Sequence, residues 1–71
     1  MALLENYHDS SMIESSTYDT DSKTLTVEFK GGASYEYYNV DEDTYNGLCS
    51  APSTGKYFGS NIKGSYDYTK I

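Results

Sequence analysis

Lys56, Tyr57, Lys63, Tyr66, Tyr68 and Lys70 interleave cations with aromatic rings in the last third of a 71-residue chain. Such a mixture can hold phosphates with ammonium groups while bases stack on the rings, the chemistry of single-stranded nucleic-acid binding. The competing reading has the tyrosines closing a core and the lysines keeping it in solution. Phosphate affinity scales with the charges neutralised, and three lysines are few in a chain of net charge −6. Tyr38 is a further candidate, since the strand alignment argued below turns it away from the core. There it can stack on a base, anchor a protein partner, or simply lie across the sheet beside Thr26.

Ser53-Thr54-Gly55-Lys56 fits the S-x-x-K spacing of acylating enzymes, but that chemistry needs further catalytic segments that a chain this short does not carry. It is not a phosphate-binding P-loop, because Ser50 stands where the first Gly belongs and Tyr57 follows the lysine. Anion capture at a helix start by Ser53 and Gly55, with Lys56 assisting, competes with plain capping by Ser53, the more ordinary reading. Asp19 and Asp21 resemble the start of a calcium loop, yet Lys23 occupies the next ligand position, which favours a turn. His8 is the lone histidine, is tied by spacing to no Ser or Cys, and is expected to be exposed and idle. Cys49 is expected to be a small thiol on an apolar helix face. No nucleophile, base and oxyanion donors can be assembled from these residues, so neither an enzyme nor a cofactor or metal is expected.

The elements that would position these side chains follow from periodicity. Residues 1–11 read as a polar leader of low order, and residues 12–71 as a single domain. Met12 to Tyr18 reads as a first strand, and Asp19-Thr20-Asp21-Ser22 as a turn. From Lys23 to Lys30, Leu25, Val27 and Phe29 alternate with Thr24, Thr26 and Glu28, the clearest strand in the chain. Ala33 to Val40 forms the third. A three-residue Gly31-Gly32-Ala33 loop would set Phe29 opposite Tyr35 and Val27 opposite Tyr37, gathering the apolar side chains on one face. A two-residue Gly-Gly loop would turn those tyrosines outward. The first alignment sets Glu28 against Glu36, a cost well under about 1 kcal/mol for an exposed pair.

Asp41 then reads as an N-cap with Glu42 and Asp43 at the positive end of the helix dipole, and Val40 and Tyr45 as a hydrophobic staple. Tyr45, Leu48 and Cys49 share one face, and Pro52 pushes Ala51 out of the helix. Ser53 caps a second short helix, with Tyr57 or Phe58 and then Ile62 on its apolar side and Gly64 as its stop. The tail from Ser65 to Ile71 is consistent with an extended edge or a docked arm. The fold class expected is α+β, a small three-stranded antiparallel meander packed against two short helices with an extended C-terminal tail.

Composition bounds the rest. A domain this small buries only about 60% of the surface its unfolded chain exposes, and one cysteine excludes an internal disulfide. Nine tyrosines supply large apolar faces whose hydroxyls can reach water or backbone, which suits a thin core. Residues 1–52 carry ten acids against Lys23 and Lys30, a net of −8; residues 53–71 carry three lysines against Asp67, a net of +2. Any anion-accepting surface therefore belongs to the C-terminal third. The lone cysteine, the lack of a charged apolar leader, and the lack of any run near the roughly 20 apolar residues of a membrane span point to the cytoplasm.

Leu25-x-Val27-x-Phe29, Gly32, Tyr35-Glu36-Tyr37, Val40, Tyr45 and Leu48 occur in an order and spacing similar to the KTSC domain. Ser50-Ala51-Pro52-Ser53-Thr54-Gly55-Lys56-Tyr57-Phe58, Ile62 and Tyr66 resemble it further, so that the likeness covers about residues 12–71. That family is named after a C-terminal extension on some lysyl-tRNA synthetases and occurs as free-standing bacterial and phage proteins. The chain departs from it at Gly59, where members often carry Asn, and in a less basic C-terminus. The resemblance implies a compact domain with a Tyr-x-Tyr core motif and a role in RNA binding. The charge favours the alternative, an acidic protein-interaction module such as a phage-encoded regulator or inhibitor of a host protein.

Overall fold

Alternation of apolar and polar residues makes 24–29 a strand with one face in the core and one in solvent. In a computed structural model, which describes residues 3–8 and 11–71, this is β3 (Thr24–Phe29) of an antiparallel sheet. The others are β1 (Leu3–Tyr7), β2 (Ile13–Asp19), β4 (Ser34–Tyr37) and β5 (Tyr68–Lys70), and the order is β1-β2-β3-β4-β5. Helices α1 (Glu42–Ser50) and α2 (Thr54–Tyr57) lie between β4 and β5 in the chain, and α2 runs on into a π-helical turn, Phe58–Ile62. The class is α+β as expected, but the three-stranded meander is corrected to five strands. β1 forms within the segment read as a leader, and the tail supplies β5.

Local chemistry explains the register. The β3–β4 loop is Lys30-Gly31-Gly32: Phe29 N–H donates to Ala33 O, and Gly32 N–H donates to Phe29 O. This is the three-residue, bulge-closed loop anticipated, one position earlier. Its third residue must be left-handed, and Gly32 (φ +96°) accepts that where Ala33 would resist. The register therefore pairs Val27 with Tyr35 and Leu25 with Tyr37, two residues from the alignment expected. A shift of two preserves parity, so the same side chains reach the same face. Glu28 faces Ser34 rather than Glu36. In β2 a bulge between Ile13 and Ser15 switches the phase, which lets Ile13 join Ser16 and Tyr18 on the covered face.

Helix α1 starts at Asp41, whose extended backbone fits an N-cap although its carboxylate makes no cap bond. The helix ends where Ala51 turns extended before Pro52, as the proline requires. Gly64 (φ +83°) ends the turn after Ile62. The core is Ile13, Tyr18, Leu25, Val27, Tyr37, Val40, Tyr45, Leu48, Phe58 and Ile62. Leu25, Val27 and Leu48 are fully buried, each worth about 1.5–3 kcal/mol relative to exposure. Tyr18 stacks on Tyr45 (centroids 5.1 Å, 13° between planes) and donates its hydroxyl to Val40 O. Burial pushes the hydroxyl pKa of Tyr18, Tyr37 and Tyr45 up. No described helix is long and apolar enough to cross a membrane.

Candidate functional site

Covering one face of a five-stranded sheet with so few helical residues leaves the covered face open at the β5 end. There Phe29, Tyr35 and Tyr37 from β3 and β4 meet Phe58 of the π-helical turn and Tyr68 of β5 around a groove of about 560 Å³. The rings form a connected set. Phe58 meets Phe29 and Tyr37 edge-on at 5.4 Å, Phe29 meets Tyr35 edge-on at 5.8 Å, and Tyr68 tilts against Tyr35 (5.8 Å) and Tyr37 (5.5 Å). Edge-to-face pairs of this kind add about 0.5–1.5 kcal/mol each beyond area burial, so the floor is stiff. Tyr37 is buried, Tyr35 is half-buried, and Tyr68 is 57% exposed, leaving an accessible ring face.

Two cations border this ring. Lys63 follows the π-helical turn and lines the groove with Gly59 and Gly64. Lys70 pairs with Tyr35 in register, so it projects on the same face as Tyr68 two residues along β5. Both are exposed. The arrangement can hold a flat aromatic ligand against Tyr68 with Lys63 and Lys70 within the same region for its anionic groups.

The other residues read from the sequence lie elsewhere. Lys56 is exposed on α2 beside Ser53, Gly55 and Met12, in a separate shallow depression. Ser53 Oγ accepts from Lys56 N–H at 3.4 Å, which is capping of a single-turn helix. Tyr57 turns to α1, where its hydroxyl lies so close to Gly47 that a Cβ there would collide with it. Tyr66 is half-buried, its hydroxyl 3.3 Å from Thr44 Oγ1. Tyr38 is half-buried on the uncovered face and donates its hydroxyl to Glu36 Oε1 at 3.4 Å. The groove thus gathers Lys63 and Tyr68, with Lys70 two residues along β5 on the same face, while Phe29, Tyr35 and Tyr37 enter it as floor. Sequence reading assigned those three to the core alone; the only signal was the short cover of helix available to span the sheet.

A second polar cluster lies under β1. His8 Nε2 is 2.7 Å from Ser16 Oγ, a contact that corrects the expectation of an idle histidine. Asn6 Nδ2 donates to Tyr45 Oη (3.1 Å) and to Cys49 Sγ (3.0 Å), and Tyr45 Oη donates to Leu4 O (3.3 Å). Desolvation lowers the His8 pKa. Ser16 is 1% exposed, so its pairing with histidine offers no reachable nucleophile. The Asp19 carboxylate accepts from the N–H groups of Asp21 (2.9 Å) and Ser22 (3.3 Å), a turn in place of a calcium loop. No group of three or more metal-binding side chains occurs among the described residues.

The family model of the KTSC domain matches residues 9–66. The chain is a member of the KTSC domain family. As a KTSC domain it is similar to lysine–tRNA ligases of Nostoc punctiforme (35% identical over 63 residues) and Trichormus variabilis (38% over 63 residues). Those matches cover 89% of this chain and 11% of each ligase. A protein of Tsukamurella paurometabola is 38% identical over 55 residues, covering 78% of this chain and 82% of that one. A crystal structure of a KTSC domain protein from Yersinia pestis superposes with a TM-score of 0.90 at 35% identity, covering 99% of both chains. Small chains and a small portion of a large ligase thus share this domain.

Proposed function

We propose that this KTSC domain is a non-catalytic module that binds single-stranded RNA in the aromatic groove. A base lies on the exposed face of Tyr68 while Lys63 and Lys70 meet the flanking phosphates. The observation that carries this reading is the position of Tyr68: more than half exposed, backed by two further tyrosines, in a groove that Lys63 also lines and with Lys70 two residues along the same strand face. Stacking on a held ring contributes about 1–3 kcal/mol per base without regard to sequence, so it can offset a chain that repels phosphate at longer range. Similarity to a portion of lysine–tRNA ligases supports the RNA assignment. The test is fluorescence anisotropy of a labelled RNA oligonucleotide with wild type and Tyr68→Ala across a salt series. Binding that survives Tyr68→Ala unchanged excludes the groove.

A second reading rests on the uncovered face of the sheet. Its strand positions include Glu5, Asp19, Glu28 and Glu36 beside Thr17, Thr24, Thr26 and Thr69, with no lysine among them. A basic protein surface complements that field. Such a partner would be released by salt, would be indifferent to Tyr68→Ala, and would be lost with Glu28→Lys.

A further inference from the structure

We infer that this domain self-associates into a two-fold dimer by antiparallel pairing of β1 with β1 of a second copy, extending the sheet across the edge opposite β5. In an antiparallel ladder each strand's residues alternate between bonding one neighbour and bonding the other. The phase here is fixed by His8 N–H donating to Glu14 O, a directly opposed pair continuing the β1–β2 register. Even-numbered β1 residues therefore bond β2, and the N–H and C=O groups of Leu3, Glu5 and Tyr7 point to the free edge.

Among the described residues, Glu5 is the one device on that edge that keeps edges apart. β5, at the other end, is three residues long and carries Lys70. β1 is five residues long, pairs with β2 without a bulge, and contains no Lys or Pro. It also leaves Leu3 61% and Tyr7 79% exposed, both on the uncovered face. A two-fold axis through Glu5 sets Leu3 of each copy opposite Tyr7 of the other. Each of these pairs, and the central one, can exchange both backbone bonds, so the strand is complementary to itself.

The axis also sets Glu5 against Glu5 of the second copy. Like charges directly opposite destabilise the pairing, so the dimer is weak at low salt and tightens as salt screens the carboxylates. Such a short added strand buries less than a standard interface, which places dissociation in the concentration range of structural work rather than of trace protein. The association leaves the groove at β5 free, and its sign with salt is opposite to that of RNA binding.

The decisive experiment is a charge swap. Native mass spectrometry and sedimentation equilibrium are run on wild type, on Glu5→Lys, and on their equimolar mixture. The mixture is expected to form a heterodimer about two- to thirtyfold tighter than either homodimer, since attraction replaces repulsion at one pair, while Glu42→Lys, with the same charge change on α1, gives no such gain. Glu5→Gln is expected to tighten the homodimer up to about fivefold. Glu5→Pro removes an N–H that β2 does not use and is expected to abolish pairing with the fold intact. A mixture that associates no better than wild type alone overturns the proposal, as does a dimer that Glu5→Pro leaves unchanged.

Discussion

Tyr37 and Tyr68 stand directly opposite each other on β4 and β5, their ring centroids 5.5 Å apart, yet Tyr37 is 4% exposed and Tyr68 57%. The buried ring holds the exposed one in place. A ring presented this way has already lost much of its rotamer freedom, so a ligand stacking on it need not supply that ordering. The domain thus places the same residue type in its core and on its exposed surface.

Tyr68→Ala should weaken binding of an RNA oligonucleotide by about 1–3 kcal/mol, roughly 5- to 150-fold, with little change in salt slope. Lys63→Ala should act differently, removing one phosphate contact and reducing the slope of log K against log salt by about 0.7. Anisotropy titrations at several salt concentrations separate the two. Equal slopes for wild type and Lys63→Ala would place the lysine outside the interface.

Gly47 offers a test of packing against propensity. Alanine is the better helix former by about 1 kcal/mol, and Gly47 lies inside α1. Its added Cβ would strike the Tyr57 hydroxyl and ring, however, and overpacking of that kind costs about 1–3 kcal/mol. Gly47→Ala should therefore lower the urea midpoint, and Tyr57→Leu should relieve the loss in the double variant. If Gly47→Ala proves more stable than wild type, the ring does not sit where this packing puts it.

The acid limb of stability should report His8. Desolvation holds its folded-state pKa below the ordinary 6.5, so folding favours the neutral ring. The contribution is complete above 6.5 and is lost as pH falls through that value toward the folded pKa. Urea unfolding should show stability dropping as pH falls below about 6.5, with a shallower drop in His8→Gln. An unchanged slope in that variant would assign the acid sensitivity to the carboxylates.

How much of this was legible beforehand can be argued from particular residues. Alternation at Leu25, Val27 and Phe29 marked β3, and Asp41 and Pro52 bracketed α1, because both signals are local. The β3–β4 loop was legible in length but not in phase: two glycines in a row leave open which takes the left-handed position, and only avoiding Ala33 there decides for Gly32. β1 was not legible. Leu3-Leu4-Glu5-Asn6-Tyr7 has no clean alternation, and its order comes from pairing with β2 and from Asn6 reaching Tyr45 and Cys49, contacts of high sequence separation. The groove was half legible. Of the interleaved lysines and tyrosines, Lys63 and Tyr68 line it, but its floor depends on how far the π-helical turn reaches across the sheet, which Phe58 and Ile62 alone do not specify.

The most direct test of the groove is amide chemical-shift mapping of the labelled domain titrated with a single-stranded RNA oligonucleotide at low salt. Saturable shifts are expected at Lys63, Gly64, Tyr68 and Lys70, with the amides of Thr17, Thr26 and Glu36 unmoved. Shifts confined to that opposite face, or none at millimolar RNA, would contradict the aromatic groove as the binding surface.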